Sequence, residues 1–309
     1  MEYSFPRYLL AKQSVDDRAL NRVVLADLST ALQDAASGQP LRVIEVGAGI
    51  GTMLARLLRW KMLPAQVEYT LVDEMAENIA FARTWLPDWG AQNGYTVETN
   101  PEGFRFSAPK SALQIRFAQM DIFDFIRAQA GFRYDVLIAH AFLDLLAMPE
   151  SLLSLFQLLK PAGLAWLTIN FDGVTSLEPA LDPALDAHIE RLYHQSMDSR
   201  PTGGDSQAGR HLFQHLQQAG AEIASAGASD WVVYPQRGQY PADEAYFLHF
   251  ILHFFETSLK NHPDLDAARF SSWLAQRRAQ VERAELVYIA HQMDFLVKMK
   301  QPAEDLARK

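Results

Sequence analysis

Residues 41–52, with the sequence LRVIEVGAGIGT, constrain the fold of this chain more than any other stretch. Four apolar residues surround a single acid, Glu45, and glycines then follow at every second position from Gly47 to Gly51. A short apolar run bounded by a turn signal is typical of a buried parallel strand. Because glycine tolerates positive φ and has no Cβ, the backbone can turn tightly there and approach a ligand closely. An amphipathic stretch at 53–58 predicts a helix, and this order of elements is typical of sites for nucleotide-like cofactors.

The glycine spacing distinguishes between three kinds of cofactor site. A dinucleotide fingerprint requires a third glycine at the position of Thr52. A phosphate-binding P-loop requires a lysine after the glycines, and no lysine lies between Lys12 and Lys61. S-adenosylmethionine carries a cationic sulfonium and no phosphate, so an acid beside the turn suits it better than it suits a dinucleotide. The pattern therefore favours S-adenosylmethionine, and the alternative is a glycine turn in an ordinary βα unit.

The sequence EVGAGIG at 45–51 resembles motif I of the class I S-adenosylmethionine-dependent methyltransferases. Four further segments resemble that family in the same order, at 67–73, 113–125, 134–146 and 158–170. The resemblance implies an α/β fold with a doubly wound, Rossmann-like sheet of seven strands, of which strand 7 is antiparallel. It also implies S-adenosyl-L-methionine as the cofactor and methyl transfer as the reaction.

The resemblance assigns specific residues to the cofactor site. Asp73, at the end of the second predicted strand, would accept hydrogen bonds from the ribose hydroxyls. Its neighbour Glu74 is included, although a first-turn acid is also explained by the helix dipole. Asp121 and the N–H of the next residue would bind the adenine ring, whereas Asp124 is expected to cap a helix at 125–129. The full predicted set is Glu45, Gly47, Ala48, Gly49, Gly51, Asp73, Glu74, Asp121, Ile122 and His140.

His140 is the candidate catalytic residue, because it ends the fourth predicted strand, where the open edge of an α/β sheet faces its ligand. A general base is needed only if the methyl acceptor keeps its proton, since the sulfonium is already a good leaving group. The alternative is a loop histidine that is hydrogen-bonded to backbone near the cofactor. Asp144 could orient His140 or bind an amine. Together with Asn170, at the end of the fifth predicted strand, and Tyr8, it forms the predicted acceptor site.

Composition and charge limit the classes of substrate. The chain has 309 residues, of which 49% are hydrophobic and 21% charged, as in an ordinary globular protein. There is no cysteine, which excludes disulfides and thiolate catalysis and favours the cytoplasm. A net charge of -9 disfavours nucleic acid as a partner, so a small-molecule methyl acceptor is expected. Neither a metal site nor a membrane span is expected, because the paired histidines lack further ligands and the apolar runs are short.

The whole chain, 1–309, is predicted to form a single domain. Residues 1–40 would be a helical cap, in which 16–36 show one continuous helical period. The cofactor-binding core spans 41–170, and a β-hairpin is expected between its second and third strands, around the turn NPEG. A loop-like stretch is expected directly after Asn170.

The second half of the chain is predicted to complete the sheet around two insertions. A lid-like insertion covers 171–210, and 211–309 contain the last strands with helices inserted at about 241–283. The run at 285–297 would be the antiparallel seventh strand, lying beside the fifth. An aromatic stretch at 246–255 is the candidate contact for a homodimer.

Three functions are consistent with these patterns. The first is a methyltransferase acting on a small molecule. The second is a non-catalytic protein that binds S-adenosylmethionine or S-adenosylhomocysteine, because the motifs indicate binding rather than turnover. The third is another transferase on the same fold.

Overall fold

The computed structural model describes residues 2–35, 38–129, 131–201 and 203–300. Ten strands of the described chain form one mixed sheet with helices on both faces. The strands are β1 (Leu41–Val46), β2 (Gln66–Asp73), β3 (Thr96–Asn100), β4 (Gly103–Ala108), β5 (Ser111–Gln119), β6 (Tyr134–His140), β7 (Leu159–Glu178), β8 (Ala221–Ala228), β9 (Trp231–Val233) and β10 (Val287–Met299). The helices are α1 (Phe5–Ala19), α2 (Arg22–Ala35), α3 (Thr52–Arg59), α4 (Ala76–Gln92), α5 (Ile122–Ala128), α6 (Glu150–Phe156), α7 (Pro183–Asp198), α8 (Ala208–Gln218), α9 (Glu244–Leu259) and α10 (Ala267–Glu282).

The sheet order confirms the predicted fold class. The central strands lie in the order β5-β2-β1-β6-β7-β10-β8. β1 is parallel to β2 and β6, and the β2–β5 and β6–β7 pairs are parallel as well. β10 is the predicted seventh strand, and it lies antiparallel between β7 and β8. The predicted hairpin forms β3 and β4 and extends the sheet beyond β5.

The N-terminal cap consists of two helices, so the prediction of one helix over 16–36 is wrong. The chain breaks at Asn21, whose side-chain Oδ1 accepts hydrogen bonds from the N–H groups of Val23 and Val24 at 3.0 and 3.2 Å and so caps α2. The N–H of Asn21 donates to Asp294 Oδ2 at 2.8 Å, which ties the break to β10. Apolar residues keep their helical period across the break, and periodicity alone therefore could not reveal it.

β7 is much longer than expected, and the predicted loop after Asn170 is wrong. The strand continues to Glu178, which pairs with Val287 of the antiparallel β10. Part of the predicted lid at 171–210 is therefore strand, and α7 forms most of the rest. The prediction failed because Asp172 and Gly173, which are turn formers by composition, form only a bulge: Gly173 has a φ of 75°, and pairing with β10 resumes at Thr175.

The helical insertion before β10 packs onto the chain itself. Most of the aromatic stretch in α9 is buried, including Tyr246, Phe247, Phe250 and Phe255. Phe250 contacts Tyr8 of α1, and Phe255 stacks on Tyr193 of α7 with ring centroids 4.0 Å apart. These contacts use the apolar surface within one chain, and the homodimer stays a prediction. Within the described ranges, no helix has the length and apolarity needed to cross a membrane.

Candidate functional site

The glycine turn lies at the carboxyl ends of β1 and β2 and leads into α3. Gly47, Gly49 and Gly51 have φ values of 61°, 55° and 80°, a conformation that glycine adopts without strain. The N–H of Ala48 donates to the carbonyl of Val72 at 3.0 Å and fixes the turn against β2. The turn therefore has the backbone geometry that the sequence predicted.

Asp73 holds the turn from the end of β2. Its Oδ2 accepts the N–H of Gly49 at 2.7 Å, and its Oδ1 accepts the N–H of Met75 and the amide of Asn78 at 3.0 and 3.1 Å. Burial raises the pKa of Asp73, and these three hydrogen bonds oppose that rise. Glu74 is exposed beside it. Contact with a ribose stays a prediction for both carboxylates.

Glu45 lies below the turn, where its side chain is enclosed. The residue is only 2% exposed, and its Oε2 accepts the hydroxyl of Tyr69 at 2.7 Å. Burial raises the pKa of Glu45 to about 8, although the hydrogen bond from Tyr69 lowers it. The carboxyl group is therefore mainly protonated at neutral pH and faces β2.

Asp121 follows β5 and begins α5. Its Oδ1 accepts the N–H groups of Phe123 and Asp124 at 2.9 and 3.1 Å, so Asp121 is the helix cap. The prediction that Asp124 is the cap of a helix at 125–129 is wrong, because α5 begins at Ile122. Asp121 is partly exposed and follows β5, the strand next to the one that ends in Asp73, and its contact with an adenine ring stays a prediction.

His140 ends β6 as predicted, but both of its ring nitrogens have partners. Nδ1 lies 2.7 Å from Thr168 Oγ1, and Nε2 lies 2.8 Å from Asp16 Oδ2. Since an ionised carboxylate only accepts, Nε2 carries the proton and Nδ1 accepts from the threonine hydroxyl. Burial and the charge of Lys12 lower the pKa of His140 to about 4, against the opposing effect of Asp16. The ring is thus neutral, and it must leave one of its partners before it can act as a general base.

Asp16 of α1 is the centre of a buried polar network that the sequence did not reveal. Its Oδ2 accepts Lys12 and His140, each at 2.8 Å, and its Oδ1 accepts the indole N–H of Trp231 at 2.9 Å. Arg56 Nη2 of α3 lies 3.6 Å from the same carboxylate. Burial opposes ionisation of Asp16, but the charges around it hold its pKa well below the usual range. No local motif marks this network, because its members come from four separate elements.

Two apolar side chains lie directly over the glycine turn. A Cβ placed on Gly47 would lie 2.3 Å from Cδ2 of Phe142, and one on Gly49 would lie 2.8 Å from Cδ1 of Leu9. Both distances are below van der Waals contact, so Phe142 and Leu9 would have to shift if either glycine carried a Cβ. Leu9 belongs to α1, and Phe142 follows β6.

The predicted acceptor residues are only partly brought together. Tyr8 is buried against Phe250, at a centroid distance of 4.5 Å. Burial raises the pKa of Tyr8, and Asp16, Tyr193 and Asp144 are close enough to raise it further. Asp144 is partly exposed, and burial of its carboxylate raises its pKa. Tyr8 and Asp144 therefore share one region with His140.

Asn170 lies apart from this region, and its predicted position at a strand end is wrong. It lies within β7, fully buried, and its amide donates to the carbonyl of Met293 at 2.8 Å. A Cβ placed on Gly209 of α8 would lie 2.9 Å from the carbonyl of Asn170. The long strand thus places Asn170 beneath α8. Among the described residues, no group of three or more metal-ligating side chains could hold a metal ion.

No family model and no curated protein sequence matches the chain. Solved structures do match it. A protein from Bacillus halodurans is 12% identical, with 89% of this chain and 100% of that chain covered and a TM-score of 0.48. An S-adenosylmethionine-dependent methyltransferase from Thiobacillus denitrificans, in complex with S-adenosyl-L-homocysteine, is 13% identical, with 97% and 100% covered and a TM-score of 0.44. A cyclopropane synthase from Mycobacterium tuberculosis is 8% identical, with 91% and 88% covered and a TM-score of 0.43.

Because these identities and TM-scores are low, the fold assignment rests on the observed sheet. The glycine turn follows the first strand, the parallel strands flank it on both sides, and the seventh strand is antiparallel between the fifth and the sixth. This is the arrangement that the sequence resemblance implied. The chain has the doubly wound, Rossmann-like fold with an antiparallel seventh strand that the resemblance to the class I S-adenosylmethionine-dependent methyltransferases implied.

Proposed function

We propose that this protein binds S-adenosylmethionine at the glycine turn and transfers its methyl group to a small molecule. The observation that carries the proposal is the turn itself, held at the carboxyl edge of the sheet by Asp73 and followed on the next strand by Asp121. Open α/β sheets bind their ligands at this edge. Carboxylates there suit ribose hydroxyls and an amino group, and they repel phosphate.

The chemistry of the residues fits this cofactor. Asp121 uses only Oδ1 in capping α5, so that Oδ2 is available to accept from a ligand. The backbone at Gly47 and Gly49 offers a surface without side chains. Phe142 and Leu9 cover this surface in the present conformation, and binding therefore requires both side chains to move.

When bound, the cofactor supplies a methyl group that is already activated for transfer. The chain must then place the acceptor, exclude water and take up a proton where the acceptor holds one. α1 and α9 exclude water through the stacked rings of Tyr8 and Phe250. Asp144 is suited to accept a proton, because burial raises the pKa of its carboxyl group.

The second candidate is a non-catalytic protein that binds S-adenosylmethionine or S-adenosylhomocysteine. The engagement of both His140 nitrogens favours it, because the residue best placed as a base by sequence has no free nitrogen. Turnover with a panel of phenols, amines and carboxylates separates the two functions. Binding without turnover of any acceptor would favour the non-catalytic protein, and aminopropyl transfer from the decarboxylated cofactor would favour the other transferase.

Calorimetry with S-adenosylmethionine and S-adenosylhomocysteine tests the shared part of both functions. We expect Asp73→Asn to bind both compounds at least about tenfold more weakly. The asparagine has a single side-chain oxygen, which cannot accept from all three N–H groups that the two oxygens of Asp73 accept from. Glu77→Gln is the matched control, since Glu77 is an exposed acid in the first turn of α4. No heat with either compound, or equal affinity of Asp73→Asn and the wild type, would refute the proposed site.

A further inference from the structure

α1 presents three side chains to the cofactor turn and to the network behind it. Leu9, Lys12 and Asp16 are spaced three and four residues apart and therefore share one face of the helix. Leu9 covers Gly49, and Asp16 connects α1 with α3, β6 and β9 through Arg56, His140 and Trp231. The helix that covers the turn is thus the helix that carries the centre of the network.

The network is closed to solvent. Asp16 is 1% exposed, Arg56 0% and Lys12 5%. Charges that are buried to this extent interact strongly, and the loss of one partner leaves the others uncompensated. The other charged anchors of α1 lie nearer the surface: Asp17 pairs with Arg56 at 2.6 Å from a side chain that is 22% exposed, and Arg18 reaches Glu244 from a side chain that is 40% exposed. Asp16 is therefore the buried charge that joins α1 to β6 and β9, whereas Asp17 shares the contact with α3.

We propose that Asp16 is a positioning residue that holds α1 across the glycine turn, so that cofactor binding competes with the docking of α1. This inference rests on the proposed cofactor site. The affinity of a ligand for a site that is open only part of the time is reduced by the open fraction. A change that weakens the docking of α1 therefore tightens binding, whereas damage to a merely structural contact would loosen it.

The test compares Asp16→Asn with a buried aspartate elsewhere in the chain. In Asp16→Asn an amide N–H replaces one carboxylate oxygen and faces either Lys12 and His140 or the indole N–H of Trp231. Asp186 is a close match, because it accepts the indole N–H of Trp273 at 2.5 Å and Arg277 at 2.7 Å but lies in α7. We expect Asp16→Asn to bind S-adenosylhomocysteine about tenfold more tightly than the wild type and to associate faster. Asp186→Asn should lose a comparable amount of stability without that gain.

Leu9→Ala provides a second variant that leaves the charges in place. It removes the methyl groups that lie against Gly49, and we expect tighter binding and faster association here too. If Asp16→Asn does not fold, this variant decides whether the cover opposes binding, and Trp231→Phe, which removes one hydrogen bond to Asp16, tests whether Asp16 holds the helix. Weaker or unchanged binding by the variants, with a wild type that does bind, would overturn the proposal.

Hydrogen exchange without any ligand separates this proposal from the proposed function. We expect amides in α1 and in the turn at 47–51 to exchange faster in Asp16→Asn than in Asp186→Asn, because opening of α1 exposes both segments. If S-adenosylhomocysteine binds to none of the proteins, the proposed function fails, and the exchange still reports whether Asp16 holds the cover. Equal exchange in the two variants would show that Asp16 does not hold α1 in place.

Discussion

The buried carboxyl group of Glu45 should make the stability of this protein fall steeply between pH 5 and pH 8. Its pKa is about 8 in the folded chain and 4.5 at its ordinary value. The folded state therefore keeps a proton that the unfolded state releases as the pH rises through 4.5, and folding becomes less favourable until the folded pKa is reached. Within that window the free energy of unfolding falls by about 1.4 kcal/mol for each pH unit, which amounts to roughly 3–4 kcal/mol from pH 5 to pH 8.

Glu45→Gln removes this proton without removing the side-chain shape or the acceptor for Tyr69. Urea unfolding of both proteins at pH 5, 6, 7 and 8 gives the difference in unfolding free energy, in which the other titrating groups largely cancel. As the pH rises from 5 to 8, the unfolding free energy of the variant should increase by about 3–4 kcal/mol relative to that of the wild type. In Tyr69→Phe the decline should extend to higher pH, because the hydroxyl that lowers the pKa of Glu45 is missing. Parallel stability curves for Glu45→Gln and the wild type would refute the argument.

Two further substitutions test the local structure around the site. Gly51→Ala should destabilise the fold by about 1–3 kcal/mol, because φ is 80° there and the new Cβ would lie 2.9 Å from Leu86 and 3.0 Å from Leu71; thermal unfolding measures this, and an unchanged midpoint would contradict the turn geometry. Asn21→Ala should lower the free energy of unfolding by about 1 kcal/mol, because the cap of α2 is lost, whereas Asn21→Asp should keep most of the stability that the cap provides. Chemical denaturation measures both, and equal losses of stability would show that the cap contributes little.

The sequence was a good guide to the sheet and the glycine turn. Buried parallel strands appear in the sequence as apolar runs, and the turn requires glycine at fixed positions. Both features can therefore be predicted from short stretches of sequence. The antiparallel seventh strand followed from the family resemblance and is confirmed by the position of β10.

Features that depend on distant partners could not be predicted in the same way. The network around Asp16 joins residues as far apart as Asp16 and Trp231, and no pattern within a single element marks it. The cover of the turn by Leu9 was hidden for the same reason, because it depends on how α1 docks. The extension of β7 depends on hydrogen bonds from β10, which lies more than one hundred residues later in the chain.

The extension of β7 is held by a strand ladder, whereas α1 is held by side chains alone. β6 supports β7 only as far as Thr168, whereas β10 accompanies it to Glu178. The segment from Thr168 to Glu178 is paired with β10 on either side of a bulge at Gly173, and α7 follows its far end. A ligand bound at the carboxyl edge of the sheet therefore lies beside strands that their hydrogen bonds keep rigid. α1, in contrast, is held against β9 and α9 by side chains and not by a strand ladder, so the freedom to admit a ligand and to close behind it must come from this helix.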